Sequence, residues 1–118
     1  MRKIIKTIGK TIDGISTINA ITFEIRNEKG EQALPGEGRL VSGACGYGIK
    51  WAGLDMTRRL KKLREEMNLK YTIIGVGGVT TAEDYKEYIE AGADAAMSAT
   101  GAMWNPYLAQ EIKKEINK

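Results

Sequence analysis

Ile74-Gly75-Val76-Gly77-Gly78 and Met97-Ser98-Ala99-Thr100-Gly101 decide the reading of this chain. Each follows or continues a short apolar run, over 71–76 and 95–99, and each precedes a segment with helix-start signals. Runs of that length, bounded by glycine, match buried parallel strands. Glycine at the C-terminal end of a strand lets backbone N–H groups approach a ligand closely. A helix beginning just beyond adds a dipole that favours an anion. The spacing predicts two consecutive βα units whose ends together hold a phosphate group. For Gly77-Gly78 the competing reading is a tight strand-to-helix turn with no ligand.

Paired phosphate-binding ends of this kind occur after the last two strands of (β/α) barrels. A whole barrel takes roughly 250 residues, and this chain has 118. The expected fold is therefore α/β: a partial (β/α) TIM barrel, the C-terminal three βα units with parallel strands, forming a single domain over 1–118.

Working outward, 2–12 reads as an amphipathic helix and 15–21 as a β-branched strand with Asn19 near its end. The glycines at 30, 36, 38, 43, 46 and 48, with Pro35, forbid a long helix over 22–50. Segments 22–26 and 39–41 can pair there as a small hairpin. Met56, Leu60, Leu63 and Met67 place one apolar stripe on a helix over 51–67. Thr80 and Glu83 form a capping box for a third helix, whose Tyr85, Tyr88 and Ile89 face the core. Asn105-Pro106 starts the last helix, as N-cap and first helical residue, with Leu108, Ile112 and Ile116 packing inward. Right-handed crossovers make the three strands parallel.

Composition narrows the function. Hydrophobic residues make up 42% and charged residues 28%, ordinary for a globular chain. The net charge is +3. The basic cluster Arg58, Arg59, Lys61, Lys62 and Arg64 runs straight into Glu65 and Glu66, the mark of a solvated helix face rather than a nucleic-acid patch. With no histidine, Ser-His and Cys-His catalysis and histidine-ligated metals are excluded. One cysteine, Cys45, allows no internal disulfide. No run reaches the roughly 18 apolar residues of a membrane span, and no secretory pattern is present. The expectation is a cytoplasmic protein without nucleic-acid, membrane or metal partners.

Taken in order, these residues resemble the FMN-dependent dihydroorotate dehydrogenases and the related dihydropyrimidine dehydrogenase barrel. The resemblance begins at Asp13-Gly14-Ile15 and Ile18-Asn19-Ala20 and continues through Gly43-Ala44-Cys45-Gly46-Tyr47-Gly48-Ile49-Lys50. It then takes in Ile74–Val79, Thr81, Glu83, Asp84, 91–95, and Thr100 through Asn105-Pro106. It implies an FMN cofactor whose phosphate and ribityl chain are held at Gly43, Gly46, Gly77, Gly78, Ala99 and Thr100. It implies that Asn19 hydrogen-bonds a pyrimidine substrate, for which an amide that both donates and accepts is suited. It also implies that the catalytic base and the lysines touching flavin and substrate lie in five earlier strands outside this sequence. Ala99 and Trp51 depart from the family's usual glycine and proline.

Other readings of single residues stay open. Asn19 can cap its own loop. Cys45 reads as a small buried residue. Lys50 can neutralise a phosphate or be a solvated lysine at a helix start, and Trp51 and Trp104 read as packing residues rather than flavin stackers. Glu83 and Asp84 belong to helix capping. The function expected is that of a dihydroorotate dehydrogenase-like FMN-binding protein of pyrimidine biosynthesis, inactive alone. The alternatives are a non-catalytic phosphate- or flavin-binding module, a split subunit needing an N-terminal half-barrel partner, and a truncated product. Open strand edges and an uncovered inner face predict a homo-oligomer or a heteromer.

Overall fold

The computed structural model describes residues 1–118. The elements run α1 (Arg2–Ile8), β1 (Gly14–Thr17), β2 (Ile21–Glu24), β3 (Val41–Ala44), a 3-10 turn (Tyr47–Ile49), α2 (Lys50–Glu66), β4 (Thr72–Val76), α3 (Ala82–Ala91), β5 (Ala95–Met97), α4 (Thr100–Trp104) and α5 (Leu108–Ile116). β1, β4 and β5 form a parallel sheet in the order β1-β4-β5. β2 and β3 form a separate antiparallel hairpin, with Ile21 opposite Ala44. This is the α/β arrangement of a barrel segment, three strands with the intervening helices on one side.

Strand alternation explains the layering. Ile73 and Gly75 point from β4 toward the helices and are buried, whereas Thr72, Ile74 and Val76 point the other way and are not. Ile73 joins Leu54, Leu60, Leu63, Tyr88, Leu108 and Ile112 in one core beneath α2, α3 and α5. The opposite face, with Ser16, Ile74, Val76 and Met97, is left open. The molecule is accordingly a slab, 49 × 40 × 18 Å. Its radius of gyration is 16.7 Å, where a compact chain of this length gives about 13–14 Å. Its accessible surface is 8190 Å², where a compact monomer of its mass exposes about 6,300 Å². No helix is long and apolar enough to cross a membrane.

Several boundaries differ from the sequence reading. The first helix stops at Ile8 because Gly9 closes it, its N–H donating to Ile5 O. The 15–21 run is not one strand: pairing with β4 ends at Thr17, and Ile21 already belongs to the hairpin. The capping box of α3 is Thr81 with Asp84, one residue later than Thr80 with Glu83. The strand over 95–99 ends at Met97, and a short helix, α4, intervenes before the last one. Asn105 therefore sits between α4 and α5, its side chain accepting from Tyr107 N–H at 3.1 Å, and Tyr107 occupies the N-cap. Ile89 and Ile116 are exposed rather than packed inward.

Candidate functional site

The glycine turn after β4 is built by four neighbours, Tyr47, Lys50, Tyr88 and Ser98. Gly77 and Gly78 have φ of 113° and 70°, the left-handed region that side chains rarely enter. A Cβ on Gly78 would also lie 2.8 Å from the Lys50 Cβ and 3.0 Å from the Tyr47 Cα. From below, the buried Tyr88 hydroxyl donates to Gly77 O at 2.7 Å and shares that contact with Val76 O at 3.0 Å. Its ring occupies the space left by Gly53 and Gly75, where an added Cβ would overlap it. Beside the turn, Ser98 Oγ donates to Val79 O at 2.6 Å, tying the end of β5 to the same loop.

These ties leave donors free. The N–H groups of Gly77, Gly78 and Ala99 meet no acceptor within the protein. All three residues line a cleft of about 650 Å³ at the C-terminal ends of β4 and β5, within the size range of small-molecule sites. Thr100, Gly101, Gly46, Cys45, Tyr47, Trp104 and Asn105 complete the nearer walls. No Asp, Glu, Lys or Arg lines it, so an anion there would meet only backbone and neutral polar groups.

The helix dipoles contribute less than the sequence suggests. Asp84 Oδ2 accepts from Thr80 N–H, Thr80 Oγ1 and Thr81 N–H at 2.8–2.9 Å, so α3 receives its own carboxylate at its N-terminus. Burial pushes that carboxyl up, but hydrogen bonds from Lys50, Thr80 and Thr81 outweigh it and hold it at about 2. α4 spans one turn and a little more, too short for much of a macrodipole. The donors of the turn itself are therefore what the site offers.

Lys50 fits neither sequence reading. Its ammonium is paired with Asp84 at 2.6 Å and Glu87 at 2.8 Å, with 16% of the side chain exposed. Burial lowers its pKa, but the two carboxylates reverse that and raise it above the ordinary lysine value. It locks α2 to α3 behind the turn and is not free for a phosphate.

Asn19 lies at a junction. It lines both the main cleft and an adjoining one of about 570 Å³ that runs over Ser16, Thr17 and Ile18 on the open sheet face. Val76, Met97, Ser98 and Ala99 are shared by the two, making one trough. The Asn19 side chain is exposed and makes no hydrogen bond within the protein, so it does not cap its own loop. Gly43 is placed elsewhere: it pairs with Thr22 within the hairpin and does not line the cleft. Cys45 is exposed, not buried, and lines the cleft. Trp51 and Trp104 are 64% and 86% exposed, so neither packs in the core. Trp104, Asn105 and Tyr47 are wall residues the sequence reading did not assign to the site. Asn105 and Tyr47 were signalled only by closeness in sequence to Gly101 and Gly46, Trp104 also by an aromatic ring able to stack on a flavin.

A model of the protein family described as dihydroorotate dehydrogenase matches residues 2–118. The chain is 37% identical over 101 residues to the dihydroorotate dehydrogenase of Dictyostelium discoideum, covering 85% of this chain and 27% of that protein. It is 34% identical over 109 residues to the dihydroorotate dehydrogenase B (NAD(+)) catalytic subunit of Oceanobacillus iheyensis, covering 88% and 32%. The crystal structure of ligand-free DHODH from Eimeria tenella is similar with a TM-score of 0.71 and 26% identity, over 98% of this chain and 30% of that one. The chain thus spans about a third or less of the relatives it matches.

Proposed function

The chain belongs to the dihydroorotate dehydrogenase family, and from that premise we propose that residues 1–118 form one domain, the phosphate-holding C-terminal part of an FMN-binding barrel. The activity it serves is flavin-dependent oxidation of a dihydropyrimidine in pyrimidine biosynthesis. One observation carries the reading: three backbone N–H groups, of Gly77, Gly78 and Ala99, lack protein acceptors and line one cleft. Such donors suit phosphate oxygens, and the absence of carboxylates from the walls removes the obvious repulsion. Thr100 and Gly46 border the same space, and Gly43 serves indirectly, within the hairpin that leads to Gly46.

FMN, when bound, supplies the acceptor for a hydride leaving a substrate carbon. The chain's own groups hold and orient. The glycine turn takes the phosphate, and the trough leads from there to Asn19, whose amide can pair with the imide edge of a pyrimidine. The proton acceptor comes from the remainder of the barrel. That remainder also covers the open sheet face, as an N-terminal half-barrel or, failing that, a second copy of this chain.

FMN and riboflavin titrated into the protein, followed by flavin fluorescence and calorimetry, test the reading. FMN is expected to bind at least about tenfold more tightly, since only it carries the phosphate. Equal affinities would remove the phosphate role from the turn. A second reading, a non-catalytic flavin- or phosphate-binding module, is favoured by the lack of any Asp, Glu, Lys or Arg in the cleft wall. Dihydroorotate oxidation with an artificial electron acceptor, assayed with and without an added N-terminal half-barrel, separates the two: turnover only in the mixture supports the barrel part, none in either supports the module, and turnover by the chain alone would overturn both.

A further inference from the structure

Tyr88 does not itself line the cleft. It is 0% exposed, yet its hydroxyl reaches across from α3 to the last carbonyl of β4 and the first of the turn. A trans peptide is planar, and its C=O and the following N–H point in opposite directions. Fixing Val76 O toward the core therefore directs the Gly77 N–H outward, and fixing Gly77 O does the same for the Gly78 N–H. Those are the two donors of the turn that meet no protein acceptor. We infer that Tyr88 is a positioning residue: from the core it sets the direction of the Gly77 and Gly78 N–H groups, so the anion site is organised before any ligand arrives.

The surroundings make the arrangement specific. The ring passes between α2 and β4 only because residues 53 and 75 are both glycine; a Cβ on Gly75 would lie within 3.0 Å of three ring atoms. Glycine weakens both helices and strands, and at these two places it admits the ring. Burial pushes the hydroxyl up to about 12, so it remains a donor throughout the neutral range. Phenylalanine would fill the same space and lose only the two hydrogen bonds. Preset donors bind an anion more tightly than donors the ligand must first align.

The inference rests on the phosphate reading of the turn, and the test keeps the two apart. Wild type and Tyr88→Phe are titrated with FMN and with inorganic phosphate, while amide ¹H–¹⁵N spectra follow Gly77 and Gly78 without ligand. The expected result is about tenfold weaker FMN binding by Tyr88→Phe, with shifted or broadened Gly77 and Gly78 resonances and a protein that still melts cooperatively. A lower melting temperature with unchanged affinity and unchanged glycine resonances would make Tyr88 merely structural and overturn the inference. Should wild type bind neither probe, the phosphate reading falls, and the ligand-free spectra still judge whether Tyr88 sets the turn. If Tyr88→Phe does not fold, wild-type spectra decide: sharp Gly77 and Gly78 resonances before ligand support a preset turn. Resonances that sharpen only on adding phosphate overturn it.

Discussion

Gly77 is the residue at which the phosphate reading is most exposed to test. A valine there would have to hold a φ of 113°, costing on the order of 1–3 kcal/mol. Its side chain would press on Ile49 and on Ile18 O, 3.1 and 3.2 Å from the Cβ position. Gly77→Val is expected to weaken FMN binding at least about tenfold in the fraction that remains folded, read by calorimetry; wild-type affinity would take the ligand out of this turn. Asp84 carries a prediction in pH. Its folded carboxyl sits at about 2 against an ordinary 3.8, so its contribution is complete above about pH 4 and lost as pH falls toward 2, on the order of 2 kcal/mol. In urea melts, the stability gap between wild type and Asp84→Asn should therefore narrow over that window; a gap independent of pH would deny the ion pair its role. The glycines were legible because nothing else tolerates such a φ beside a close neighbour. The capping box was legible only to within one residue. Thr80 with Glu83 and Thr81 with Asp84 satisfy the same local rule, and the choice falls to Lys50, 34 positions away in the chain. Helical spacing showed that Tyr88 faces inward but not that its hydroxyl reaches the carbonyls of another element.

Elements were legible in kind and less so in partnership. The β-branched run over 15–21 reads as one strand because period and propensity do not name a partner. In the structure its first half pairs in parallel with β4, and Ile21 begins an antiparallel hairpin. The break between them places Asn19 in the trough, so the misread boundary is also where the proposed substrate asparagine sits. The last helix was placed too early for a related reason: Asn105-Pro106 is a sound start signal, but Asn105 is the C-cap of α4, and α5 begins only at Leu108. The β2–β3 hairpin stands apart from the core, with Phe23 and Val41 44% and 57% exposed. Strands without a buried face open readily. Hydrogen exchange should therefore show the amides of Ile21–Glu24 losing protection well before those of Thr72–Val76. Equal protection would mean that the hairpin is held by contacts this fold does not contain.

At the scale of the whole molecule, the excess of surface is the feature that calls for an explanation. The 8190 Å² exposed exceeds the compact expectation by about 1,800–1,900 Å². A standard protein interface hides about 800 Å² per partner, so the excess is roughly twice what one such contact removes. Its location is consistent with one cause. Helices cover one face of the parallel sheet, and Ile74, Val76 and the 53%-exposed Met97 lie on the other. β1 and β5 each keep an unpaired edge, a template for further strands. Met103, Trp104 and Tyr107, 66–86% exposed, extend the apolar surface beside β5. An N-terminal half-barrel would cover face and edges together, whereas two copies bring only six parallel strands, short of the eight of a closed barrel. Area alone does not set affinity, but apolar area on a flat, unpaired sheet favours association over a lone chain. Light scattering at micromolar concentration is expected to give a mass above the 13.0 kDa of one chain. Adding a half-barrel that supplies the first five strands should convert those assemblies to a one-to-one complex and raise FMN affinity. A stable monomer that ignores the added half-barrel would show that the sheet tolerates water on its open face, and would leave the trough at Asn19 as an exposed groove rather than the floor of a barrel.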